Sequence, residues 1–86
     1  MNADADAANA ANAANVYLNG DLETIKSLVN SKIDADIAFT YACENGRIDV
    51  VEFAISKGAD LWVTGFSKAC LKGHVDIVKL VFSKYL

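Results

Sequence analysis

The stretch Ala42-Cys43-Glu44-Asn45-Gly46-Arg47-Ile48-Asp49-Val50-Val51 returns 27 residues later as Ala69-Cys70-Leu71-Lys72-Gly73-His74-Val75-Asp76-Ile77-Val78. A weaker copy, Val16-Tyr17-Leu18-Asn19-Gly20-Asp21-Leu22-Glu23-Thr24-Ile25, precedes the central one by 26 residues. Self-similarity at a fixed period marks an array of small like units, each of which hides its apolar face against the next. Nearly the whole chain is therefore three units, roughly the minimum for a stable stack.

Working outward from the quoted stretch, Ala38, Phe39, Ala42 and Cys43 fall on one helical face, and Gly46 follows as a stop. A second helical pattern runs from Ile48 to Lys57 through Val51, Phe53, Ala54 and Ile55, closed by Gly58. The matching second helices are Leu22 to Ser31 and Val75 to about Lys84. Glu23, Asp49 and Asp76 sit near their starts and Lys32, Lys57 and Lys84 near their ends, as the helix dipole favours. Gly20, Gly46 and Gly73 all follow opening segments, where a left-handed residue commonly ends a helix. Thr64 is placed to cap the third opening helix after a connector of residues 59–63. Each unit reads as helix, tight turn, helix.

With 53% apolar and 22% charged residues, the 86-residue chain has the profile of a folded one. The formal charge of −3 supplies no overall positive field, so no nucleic-acid partner is expected. The charge is uneven: residues 1–60 carry ten acidic and four basic side chains, whereas residues 61–86 carry Lys68, Lys72, Lys79 and Lys84 against Asp76 alone. No apolar run approaches the roughly 20 residues that span a bilayer, and the N-terminus lacks a signal-peptide pattern, so no membrane partner is expected. Cys43 and Cys70 each follow an alanine and read as small buried apolar residues, unpaired and suited to a cytoplasmic, intracellular setting. Residues 2–15 contain only Asn, Ala and Asp, and either extend the first opening helix backwards or are disordered.

The order alanine plus small residue, two-residue spacer, glycine, then apolar-acidic-apolar-apolar, followed by Ser56-Lys57-Gly58-Ala59-Asp60, resembles the ankyrin repeat. Gly46-Arg47 and Gly73-His74 are similar to that family's Gly-His turn, while the first unit, with Gly20-Asp21-Leu22-Glu23, is a degenerate match. The resemblance implies an all-α solenoid of stacked helix-turn-helix repeats. Its domains are a low-complexity segment over 1–11, a capping repeat over 12–36, a second repeat over 37–63 and a third over 64–86. The period is shorter than the family's usual 33 residues or so. The shortfall lies in the projecting β-hairpin finger, so the fingers should be minimal or absent, as in arrays abundant in large DNA viruses and some microbes. The family's Thr-Pro-Leu-His is replaced by Thr64-Gly65-Phe66-Ser67 and Ile37-Ala38-Phe39-Thr40.

Catalysis needs convergent groups of complementary pKa, and His74 is the single histidine, at a turn position. Cys70 and His74 are too few for a zinc site, and no clustered Gly-rich loop is present to cradle phosphate. No enzyme activity, cofactor or metal is expected. The resemblance instead implies a protein-binding module of unknown partner, contacted through Tyr41, Glu44, Lys68, Leu71 and Lys72 on the opening helices. Trp62, in the connector, is either an interface anchor or a cover for the groove between units two and three.

The last helix is apolar around much of its circumference, and no polar capping unit follows it. This leads to the expectation of a homo-oligomer through Val78, Val81, Phe82 and Leu86 of the C-terminal repeat. A structural self-assembling array, or a fragment of a longer scaffold, is the alternative function.

Overall fold

A computed structural model describes residues 15–86. Residues 15–19 are helical and form the described part of α1. They are followed by α2 (Leu22–Leu28), α3 (Lys32–Asn45), α4 (Ile48–Ser56), α5 (Trp62–Lys72) and α6 (Val75–Tyr85). No strand occurs among the described residues. The expectations for residues 1–11 lie outside them.

The helices pair as hairpins and stack in two layers. In one layer α3 packs on α5 and Tyr17 of α1 stacks on Tyr41 of α3, with ring centroids 5.9 Å apart. In the other, α4 lies between α2 and α6. A single apolar core runs through the stack, with Ile25, Phe39, Cys43, Val50, Val51, Ile77 and Val81 fully buried. No buried residue among those described is polar or charged.

Glycine makes the hairpin corners. Gly46 and Gly73 take left-handed φ values of 77° and 74°. The amides beyond them turn back onto the helix, Arg47 N–H donating to Ala42 O at 3.0 Å and His74 N–H to Ala69 O at 2.9 Å. Gly58, at φ 101°, ends α4 in the same way. Gly20 differs from the expectation because it lies outside the left-handed region. A Cβ there would meet Val16 O at 2.7 Å, so close approach rather than handedness demands glycine.

Helix starts lie earlier than the apolar pattern suggests. Ser31 caps α3 by accepting from Asp34 N–H at 3.2 Å, while the Asp34 carboxylate accepts from Asn30 N–H at 3.0 Å. Helix α2 accordingly ends at Leu28 instead of Ser31, and the expected unit boundary between residues 36 and 37 falls inside α3. Lys32 is thus the first residue of α3 rather than a terminal cation of α2. The dipole disfavours a cation there. The position is tolerated because Lys32 Nζ donates to Asp36 at 2.9 Å and to Asp60 at 2.8 Å.

The third unit also starts early. Leu61 precedes the first residue of α5, so Thr64 lies in the first turn and is not its cap. The expected boundary at 63/64 falls inside α5, and the connector is residues 57–61.

Candidate interaction surfaces

The turn residues hold neighbouring units in register. The Arg47 guanidinium reaches back to donate to the Gly20 carbonyl. One unit later, His74 Nε2 lies 3.0 Å from the Glu44 carbonyl, and because a carbonyl only accepts, that nitrogen carries the hydrogen. The imidazole packs on Gly46, where a Cβ would come within 2.8 Å of its Cε1. His74 is therefore occupied as a structural clamp. Lys32 adds a second tie between units two and three through Asp60, whose N–H also donates to Asp36 Oδ1 at 3.2 Å.

The opening helices α3 and α5 present a groove of about 580 Å³. Ile33, Asp36, Ile37, Thr40, Tyr41 and Glu44 line it from α3, with Leu61 and Lys68 opposite. Ile33 is 72% exposed, and Ile37 and Leu61 are exposed beside it. Lys68 and Glu44 face each other at 3.7 Å across the groove. An open pair of this kind contributes about 0–1 kcal/mol and leaves both charges free to meet a partner.

Three expected contacts, Tyr41, Glu44 and Lys68, are brought together here. Leu71, 82% exposed, and Lys72 lie on the last turn of α5 and do not line the groove. Sequence reading missed Ile33, Ile37 and Leu61. The available signal was the Ser31-x-x-Asp34 pattern, which starts a helix at Lys32 and sets Ile33 and Ile37 four residues apart on it.

Trp62 belongs elsewhere. It is the first residue of α5, half-buried, and its ring meets Phe39 edge-on at 5.8 Å. Of its two readings, the covering role matches this geometry. Its other side joins Val63, Phe66, Val81, Phe82 and Tyr85 around an apolar cleft of about 160 Å³ at the end of the stack. Of the residues expected to self-associate, Phe82 and Leu86 are exposed and Val78 is half-buried. Val81, at the base of that cleft, is fully buried, which corrects its assignment as an exposed contact.

The two cysteines differ as well. Both thiols are free, but only Cys43 is buried, and burial pushes its pKa up to about 12. Cys70 is exposed, contrary to the expectation that both are buried. Among the described residues no group of three or more His, Cys, Asp or Glu side chains is placed to hold a metal ion, and no helix is long and apolar enough to cross a membrane.

Comparison with curated proteins and with solved structures gave no match. A family model describing ankyrin repeats in three copies matches residues 9–85. That span takes in all three glycine-punctuated units, and the chain belongs to the ankyrin repeat family.

Proposed function

We propose that the protein is a non-catalytic interaction module that binds another protein along the α3/α5 groove. Ankyrin repeats are in general protein–protein interaction modules. The observation that carries the reading for this chain is the row of Ile33 and Ile37 on α3 and Leu61 just before α5, exposed beside Tyr41 and the Glu44–Lys68 pair. Apolar anchors ringed by polar groups are what protein interfaces use. Leu71 and Lys72 extend the surface toward the end of α5, and Trp62 supports it from behind through Phe39. The two unpaired thiols favour action in the cytoplasm.

The test is affinity capture with quantitative mass spectrometry, comparing wild type with Ile37→Lys and Tyr41→Ala. A protein retained by wild type and lost from both variants, with their thermal melts preserved, supports the groove. Identical captured sets from all three baits overturn it.

A second reading, self-association through the third unit, is favoured by the apolar cleft between α5 and α6 and by exposed Phe82, Tyr85 and Leu86. Clusters of exposed apolar side chains on a soluble protein mark interaction surfaces.

A further inference from the structure

The interior junction shows what the outer face of this repeat accepts. Helix α5 lies on α3 with Gly65 against Phe39 and Cys43, so closely that a Cβ at position 65 would stand 2.4 Å from Phe39 Cε2 and 2.9 Å from Cys43 Sγ. Twenty-seven residues on, Phe66 and Cys70 repeat that pair, with the Phe82 ring 6.1 Å from Phe66. Among the described residues no helix covers them. A matching occupant is a helix of small residues. It should also be acidic, because residues 61–86 carry Lys72, Lys79 and Lys84, beyond the Lys68 that faces Glu44, against the single acidic side chain of Asp76.

One segment of this chain has that composition. Residues 2–15 consist only of Asn, Ala and Asp, with six alanines between positions 7 and 14 and acidic residues at Asp4 and Asp6. We infer that the outer face of α5 and α6 docks the alanine-rich N-terminal segment of a second copy, head to tail, continuing the internal stacking. This deepens the self-association reading and rests on it. A two-fold pairing of the same faces would instead set lysines against lysines. A head-to-tail contact joins two different surfaces, so it grows into a ring or an open chain of molecules rather than a two-fold pair.

Two surface variants break one half of the contact each: Cys70→Glu with Phe82→Glu on the outer face, and Asp6→Lys with Ala10→Lys on the N-terminal segment. Sedimentation velocity is run on each alone and on an equimolar mixture, with circular dichroism as the folding control. Phe82→Ala replaces the first variant should it not fold.

Wild type is expected to grow past dimer with concentration and to shrink with added salt. Each variant should be monomeric, and the mixture should stop at a heterodimer, since only one competent head and one competent tail remain. If the N-terminal variant still dimerises alone, the end face is self-complementary; the head-to-tail inference falls and self-association stands. A wild type that stays monomeric at all concentrations overturns both, and so does a mixture of folded variants that stays monomeric for the head-to-tail contact.

Discussion

Phe39 and Phe66 occupy the same place in α3 and α5, yet Phe39 has no exposed surface and Phe66 is only half-buried. Likewise Cys43 is fully buried and Cys70 exposed, and Val51 is fully buried and Val78 half-buried. These pairs are alike in sequence. What differs is the neighbour: the second unit is covered on both sides, the third on one. Burial in this protein is thus a property of the junction between units, and a residue's type settles only which side of the helix it lies on.

The largest contrast should appear in thiol chemistry. Below the concentration at which copies associate, Cys70 should react promptly at neutral pH with an aromatic disulfide reagent, whereas Cys43 should label only as fast as the stack opens, several orders of magnitude slower. Equal rates would mean that the α3/α5 junction is open in solution. Stability comes next. Phe39→Ala removes a fully buried ring that touches Trp62 and should cost about 3–5 kcal/mol in denaturant unfolding. Phe66→Ala should cost clearly less, because half of its burial is absent at the outset. Comparable losses would contradict the unequal covering of the two units.

Much of this was legible before any coordinates. Gly46 and Gly73 mark the corners because a helix ends where a left-handed residue is cheapest, a local rule visible in one chain. In α4 the helical period picks out Val51 and Ala54 but passes over Val50, and in α6 it leaves Val81 on the surface although that side chain is core. What stayed hidden were consequences of one element meeting another. Gly65 reads as an unremarkable departure from the family pattern, and only the approach of α5 to Phe39 explains it. Cys70 copies Cys43 in sequence but not in environment. Lys32 reads as the end of one helix because Ser31 was not recognised as the cap of the next. Of the candidate groove, the polar members Tyr41, Glu44 and Lys68 were inferable from the family, while Ile33 and Ile37 waited on the true start of α3.

Of the two corner glycines, Gly73→Ala meets only the strain of a left-handed alanine, about 1–2 kcal/mol, since nothing lies near its Cβ. Gly46→Ala carries the same strain and in addition displaces the His74 imidazole. The excess should vanish in a His74→Ala background, and this cycle measures how strongly the third unit clamps the second. His74→Ala alone should cost about 0.5–1.5 kcal/mol for its bond to the Glu44 carbonyl. A Gly46→Ala penalty equal to that of Gly73→Ala would show the clamp to be slack.

The smallest effects concern pH, and they separate a cap within one unit from a tie between two. Hydrogen bonds from the hydroxyl and amide of Thr24 hold the Asp21 carboxyl below its usual range. Its contribution is therefore complete above the unfolded carboxyl pKa of about 4 and fades as pH falls through the folded value. Lys32 moves the other way, its pKa raised by hydrogen bonds to Asp60 and then Asp36. Its contribution is complete below the unfolded lysine pKa of about 10.4 and fades as pH rises through the folded one. Asp21→Asn should flatten the acid limb of a stability profile and leave the alkaline limb unchanged, whereas Lys32→Met should flatten the alkaline limb. Because Lys32 joins the covered unit to the one that covers it, Lys32→Met and Asp60→Asn should be less than additive, whereas Asp21→Asn should add independently to either. Full additivity of the Lys32 and Asp60 changes would place the cohesion of that junction in its apolar contacts alone.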